Sequence, residues 1–91
     1  MPDEAAKRLD CLESNQVVWL EEPFACYDLK KYADLAAKTR NLRLAGGEGS
    51  HNPEMAYHLI DYGNVGFIQI DTGRIGGITP ALQVVDYAQQ R

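Results

Sequence analysis

The chain has 91 residues, of which 45% are hydrophobic and 24% are charged, a composition typical of one small globular domain. Its formal net charge is −4, and no basic stripe with interleaved aromatic residues occurs, which argues against a nucleic-acid-binding surface. No apolar run approaches the ~20 residues of a membrane span, and no basic segment precedes an apolar one, so neither a transmembrane helix nor a signal peptide is expected.

The first half of the chain predicts a helix, a buried strand and a second helix. The first helix is expected over residues 2–14, where apolar residues recur at a helical period. Residues 16–20 form a short apolar run that predicts a strand, and Pro23 ends its pairing. Asp28 is a suitable N-cap for a helix over residues 29–39.

The second half repeats the strand and helix plan twice. Strands are expected over residues 42–46 and 66–70. Asn52, followed by a proline and an acidic residue, predicts the start of a helix, and Gly63 is expected to end that helix in the left-handed conformation. Thr79 and the proline after it predict the start of a last helix in the same way.

The predicted order is therefore α-β-α-β-α-β-α with short connections. Such alternation favours right-handed crossovers between parallel strands, and hence an α/β fold of about three parallel βα units preceded by a helix. No linker or low-complexity tract divides the sequence, so residues 1–91 are predicted to form one domain.

Three acidic residues follow the three predicted strands closely. Glu21, Glu48 and Asp71 are separated by 27 and 23 residues, about the length of one strand with its crossover helix and loops. Parallel strands end at one face and lie about 4.8 Å apart, so these carboxylates are expected to be neighbours. Their mutual repulsion and their hard oxygen atoms favour a magnesium site. A second interpretation stays open, in which each acid stabilises the positive end of the following helix.

Three motifs carry a resemblance to a known family. WLEEPF, AGGEGS and QIDTGRIGGITPA occur in an order and at spacings that resemble the enolase superfamily, in its mandelate racemase and muconate lactonizing enzyme branch. The resemblance covers nearly the whole chain. It implies that the chain is part of a (β/α)8 TIM barrel with its active site at the carboxyl ends of the strands.

The resemblance also implies roles for the three acids. Glu21 matches the second magnesium ligand, Glu48 matches the third, and Asp71 matches an aspartate that hydrogen-bonds a catalytic histidine from the following strand. The implied reaction is abstraction of the proton next to a carboxylate, with Mg²⁺ stabilising the resulting enediolate. Loss of water would make the enzyme a sugar-acid dehydratase, and reprotonation would make it a racemase or epimerase.

Three further residues are weighed between a role in the active site and a purely structural role. Arg74 stays charged and cannot act as a base, so it would pair with Asp71 or with a substrate carboxylate, or form a structural ion pair. His51 follows Glu48 by three residues, in a loop where it would bind an acid sugar or be an ordinary loop residue. His58 falls within a predicted helix and is expected to be structural.

The same resemblance implies that part of the catalytic set lies outside the chain. The first metal ligand is expected before residue 1, the partner histidine after Arg91, and the substrate-enclosing capping domain elsewhere. The isolated chain is therefore predicted to be an inactive fragment of its parent enzyme. Alternatives are a non-catalytic oligomeric α/β fragment with vestigial metal ligands and a flavodoxin-like binding domain, although phosphate-binding signatures of the latter are not seen.

Assembly and compartment follow from simpler arguments. A three-stranded sheet with two unpaired edges is expected to pair with another copy, so a homo-oligomer is predicted. Cys11 and Cys26 lie in different segments and form no ligand pattern, which indicates a reduced, cytoplasmic protein.

Overall fold

Helices and strands alternate along residues 2–91, the part of the chain that the computed structural model describes, with side chains described from Glu4 onward. The elements are α1 (Pro2–Ser14), β1 (Trp19–Glu21), α2 (Leu29–Ala36), β2 (Arg43–Gly46), α3 (Pro53–Asp61), β3 (Phe67–Ile68), α4 (Thr72–Ile75) and α5 (Ile78–Gln89). No helix in this described part combines the length and the apolar character that crossing a membrane requires.

The three strands form one parallel sheet in the order β1-β2-β3. Trp19 pairs with Arg43, and Ala45 at the centre pairs with both Glu21 and Phe67. Consecutive strands are thus neighbours in space, each reached through a helix. This arrangement confirms the predicted α/β class, with three parallel strands after a first helix.

One face of the sheet is covered by helices because alternate strand residues point to it. Leu44 is 1% exposed, and Leu20 and Ile68 of the flanking strands pack against the same buried cluster. Tyr32 of α2 is fully buried there, and its hydroxyl donates a hydrogen bond to the carbonyl of Phe24 at 3.1 Å. This layer holds the main core of the described chain.

The opposite face of the sheet remains open. Trp19 is 51% exposed and Phe67 is 41% exposed, although both lie in strands. Their rings meet edge to face, with centroids 5.8 Å apart, across the small side chain of Ala45. The sheet therefore presents an apolar surface on the side away from the helices.

Capping moves two predicted boundaries, while other elements are shorter than predicted: α2 ends at Ala36 rather than at residue 39, and β3 spans Phe67–Ile68 rather than residues 66–70. Gln16 has φ +58°, and Val17 N–H donates to the carbonyl of Leu12, so this segment closes the end of α1 and the strand begins only at Trp19. Gly63 is not the left-handed residue after α3, since Asn64 takes that conformation with φ +57°.

Glycine is nevertheless needed at position 63. A Cβ atom there would lie 2.7 Å from the carbonyl oxygen of Leu59 and 2.9 Å from the side chain of the same residue. The packing of the loop on α3, rather than a positive φ, therefore excludes a side chain at Gly63.

The helix starts follow the predicted chemistry to different degrees. Asn52 caps α3, because its side chain accepts a hydrogen bond from Met55 N–H at 2.9 Å. Asp28 holds the N-cap position of α2 without a side-chain capping bond and instead pairs with Lys31 at 3.0 Å. Asp28 thus occupies the predicted N-cap position, but its side chain does not make the capping hydrogen bond.

The last helix starts differently from the prediction. A four-residue helix, α4, intervenes after β3 and ends at Gly76, which has φ +105°. Gly77 then occupies the N-cap of α5, so Pro80 lies in the first turn without Thr79 acting as the cap. Two glycines in left-handed conformations allow two helices to follow one another here.

Glu13 joins α1 to the start of β2. Its carboxylate accepts hydrogen bonds from the main-chain N–H groups of Arg40, Asn41 and Leu42, at distances of 2.9 to 3.3 Å. These bonds, that from Arg40 first, hold the pKa of Glu13 below its ordinary value.

We expect Glu13→Gln to lower the melting temperature at pH 7, because a neutral amide replaces a carboxylate that accepts several N–H groups. A lowered folded-state pKa contributes stability above the unfolded-state pKa and loses it as the pH falls through the folded-state pKa. The difference from the parent chain should therefore shrink as the pH is lowered toward 3. Thermal melts followed by circular dichroism test this, with Glu54→Gln as the control. A pH-independent difference would contradict it.

Candidate metal centre at the carboxyl ends of the strands

The three predicted acids lie at one edge of the sheet. Glu21 is the last residue of β1, Glu48 follows the end of β2 by two residues, and Asp71 follows the end of β3 by three residues. Because the strands are parallel, all three leave the sheet at its carboxyl edge. The backbone thus places each of the three acids at or just beyond the carboxyl end of its strand.

Glu21 is held by a neighbour that sequence reasoning did not single out. Gln69 Nε2 donates a hydrogen bond of 2.7 Å to Glu21 Oε1. Glu22 follows with φ +46°, and its N–H donates to the carbonyl of Ala45 at 2.9 Å. The chain therefore leaves the sheet directly after Glu21, with this carboxylate exposed.

Two glycines bring the end of β2 close to its surroundings. A Cβ at Gly46 would lie 3.0 Å from the hydroxyl oxygen of Tyr32, on the helix side. Gly47 has φ +118°, and a Cβ there would lie 2.5 Å from the carbonyl oxygen of Gln69. Glycine is therefore required at position 47 by both packing and the turn, whereas a side chain at Gly46 would need the Tyr32 hydroxyl to move by a few tenths of an ångström.

Glu48 lies in the turn that these glycines begin. Ser50 N–H donates to the carbonyl of Gly47 at 3.0 Å and closes the turn, and Ser50 is 2% exposed. The side chain of Glu48 is half-buried, and Cys26 Sγ lies beside the turn, 3.8 Å from the position of a Cβ at Gly49. The Glu48 carboxylate is thus placed by a fixed turn.

Asp71 caps the short helix α4. Its Oδ2 accepts a hydrogen bond from Arg74 N–H at 2.9 Å. Asp71 thus contacts the main chain of Arg74, and the predicted pair with its guanidinium is not found among residues 4–91. The exposed guanidinium of Arg74 takes part in none of the ion pairs found among residues 4–91.

The two histidines lie in different places. His51 is exposed in the loop between β2 and α3, at the same edge as Glu48, and its N–H contacts Met55 Sδ at 3.4 Å. His58 is exposed on α3, where its ring lies 5.6 Å from that of Tyr62. Only His51 belongs to the loops at the carboxyl edge.

Tyr32 supports this edge from the helix layer. Burial, with a smaller contribution from the charge of Glu22, raises the pKa of the Tyr32 hydroxyl to about 12. The hydroxyl therefore stays protonated at neutral pH and remains a hydrogen-bond donor to Phe24 beneath Gly46. The sequence pattern predicts Tyr32 only as an apolar residue of a helix and does not indicate that its hydroxyl contacts Phe24.

The chemistry of the donors fits magnesium, because Glu21 and Glu48 offer carboxylate oxygen atoms at one edge. Within the described chain, however, no three His, Cys, Asp or Glu side chains converge into a group that could hold a metal ion. The described residues thus provide ligands of the type that magnesium prefers, but they do not provide a complete set of metal ligands.

A parallel βα sheet with acids at its carboxyl edge is the plan of one sector of a (β/α)8 barrel. The whole chain, residues 1–91, matches the family described as Enolase C-terminal domain-like. The chain therefore belongs to the enolase superfamily, as its three motifs predicted.

Individual relatives agree with this assignment. The chain is 35% identical over 77 residues, 85% of its length, to L-talarate/galactarate dehydratase from Salmonella typhimurium. It superposes with a TM-score of 0.93 and 53% identity, over 99% of its length, on a crystal structure described as a predicted mandelate racemase from Rhodobacter sphaeroides. It also superposes, at 0.92 and 29% identity, over 99% of its length, on L-talarate dehydratase from Polaromonas sp. JS666 complexed with Mg and L-glucarate.

The chain spans 19% of the length of the Salmonella dehydratase, 23% of the Rhodobacter protein and 24% of the Polaromonas enzyme. The fold is therefore a partial TIM barrel, which confirms the expected class.

We expect Gly47→Ala to destabilise the chain by about 1–3 kcal/mol, because a methyl group would meet the carbonyl of Gln69 in a backbone conformation that alanine rarely adopts. Gly49→Ala is the matched control, since the nearest atom to its Cβ would be Cys26 Sγ at an ordinary 3.8 Å. Urea unfolding measures both. Equal stability of the two variants would contradict the packing argument.

Proposed function

We propose that the chain supplies one side of a magnesium-dependent active site for a sugar acid, in an enzyme that removes the proton next to the carboxylate and eliminates water. Glu21 and Glu48 would hold the cation. The observation that carries the proposal is the joint placement of these two carboxylates at the carboxyl edge of a parallel sheet. The dehydratases among the relatives support it.

The bound cation would stabilise negative charge that develops on the substrate carboxylate. Asp71 would orient a histidine from the next strand, because a carboxylate that accepts from an imidazole N–H favours the protonated ring. Arg74 would contact a substrate carboxylate through its exposed guanidinium, and His51 would contact substrate hydroxyl groups from the neighbouring loop.

Racemisation or epimerisation is the second candidate. It shares the proton abstraction and differs in returning the proton to the same carbon. The relative that is 53% identical, described as a predicted mandelate racemase, supports this second candidate.

The two free cysteines, Cys11 and Cys26, support a reducing compartment such as the cytoplasm.

The metal assignment is tested with ¹⁵N-labelled chain and Mn²⁺, whose unpaired electrons broaden nearby amide signals. We expect the strongest broadening at Glu21 and Glu48 and much weaker broadening at Asp61, an acid on α3. Glu21→Gln should raise the Mn²⁺ concentration that this broadening requires, and Glu54→Gln should not. Broadening spread over all acidic residues would contradict a metal site at this edge.

The same samples test whether the isolated chain lacks catalytic activity. Magnesium prefers about six oxygen ligands, and two carboxylates leave most of them to water, so weak binding and no turnover are expected. Galactarate and L-talarate, incubated with Mg²⁺ and the 91-residue chain, should neither lose water nor exchange the proton next to the carboxylate. Turnover that disappears in Glu21→Gln would show that the 91-residue chain is an enzyme by itself.

We also propose that the isolated chain forms a homodimer through the open face and edges of its sheet. Trp19 and Phe67 expose an apolar surface, and the outer edges of β1 and β3 have no strand beside them in the described chain. Sedimentation velocity at several concentrations should show a dimer that Trp19→Ser weakens. Tyr27→Ser, at an 80% exposed position outside the sheet, is the control. A monomer at every concentration would contradict the proposal.

A further inference from the structure

Gln69 connects the two outer strands across the middle one. It follows β3, whereas Glu21 ends β1, and the strand order places β2 between them. The 2.7 Å hydrogen bond from Gln69 Nε2 to Glu21 Oε1 therefore passes over the end of β2. This is a tertiary contact between residues 48 positions apart.

The end of β2 leaves room for this contact. Ala45, which pairs with Glu21, offers only a methyl group on that face, and Gly47 has no side chain. The backbone of Gln69 is fixed at the same place, because its N–H donates to the carbonyl of Gly46 at 2.7 Å and its own carbonyl packs on Gly47. The position from which the Gln69 side chain reaches Glu21 is thus set by the sheet.

The amide oxygen of Gln69 indicates why a polar side chain is present at this position. Gln69 Oε1 is buried and has no hydrogen-bond partner among the described residues. An unpaired buried amide oxygen is unfavourable, and an apolar side chain such as that of Phe67, on the same face, would avoid it. Rotating the amide would place its oxygen against the Glu21 carboxylate, so this orientation is the one that donates to Glu21.

We propose that Gln69 is a positioning residue for the metal ligand Glu21. By holding Oε1, it fixes the plane of the carboxylate and leaves Oε2 for the cation. Carboxylate ligands held by such hydrogen bonds bind metal more tightly than free ones, since less side-chain freedom is lost on binding. The inference rests on the proposed function, because it assigns Glu21 to the cation.

Two nuclear magnetic resonance measurements on the 91-residue chain test this role. The first follows the side-chain amide protons of Gln69, which should move toward the position of a free glutamine in Glu21→Ala. The second is the Mn²⁺ titration of the Glu21 amide signal, in which Gln69→Met should require about 10-fold more Mn²⁺ than the parent chain. Gln83→Met, at an exposed glutamine of α5, is the matched control and should leave the titration unchanged.

A purely structural role would change the melting temperature of Gln69→Met without changing its Mn²⁺ titration, and that result would overturn the proposal. Unmoved Gln69 side-chain signals in Glu21→Ala would overturn it as well. Gln69→Ala repeats the titration where circular dichroism shows that Gln69→Met is unfolded. A parent chain without broadening at Glu21 would overturn the metal assignment itself and this inference with it, which distinguishes the two failures.

Discussion

The contact of the Gln69 carbonyl with Gly47 determines the geometry of the carboxyl edge. A Cβ at Gly47 would lie 2.5 Å from that oxygen, so only a residue without a side chain allows β3 to end this close to β2. The positive φ of the same glycine turns the chain into the loop that carries Glu48. One position thus sets both the approach of Gln69 to Glu21 and the start of the Glu48 turn.

The sheet also separates stability from chemistry. The face toward the helices carries Leu20, Leu44 and Ile68, which pack in the buried core. The opposite face carries Trp19 and Phe67 and, at the carboxyl edge, the hydrogen-bonded side chains of Gln69 and Glu21. Because alternate residues of a strand point to opposite faces, the residues that build the core do not compete for space with those that line the site.

The sequence predicted what depends on local rules and missed what depends on tertiary contacts. The parallel strand order and the Asn52 cap follow from spacing and from capping chemistry, and both are present. The apolar run after Gln16 predicts a strand that begins at this residue, whereas the end of α1 needs Gln16 in the left-handed conformation. The bond from Gln69 to Glu21 could not be read from spacing, although alternation from Phe67 places Gln69 on the open face.

Two of the acids each use one carboxylate oxygen for a hydrogen bond within the described chain. Asp71 uses Oδ2 to cap α4, and Glu21 uses Oε1 to accept from Gln69. A carboxylate has two oxygen atoms, so a bond that fixes one of them orients the other without consuming it. For Asp71, a structural role at a helix start is therefore compatible with a role in binding. Glu21 and Glu48 do not have that structural role, because Asp28 and Asn52 hold the N-cap positions of α2 and α3. Among the described residues, Asp71 Oδ1 and Glu21 Oε2 accept no hydrogen bond, which leaves them for the partners that the proposed site requires.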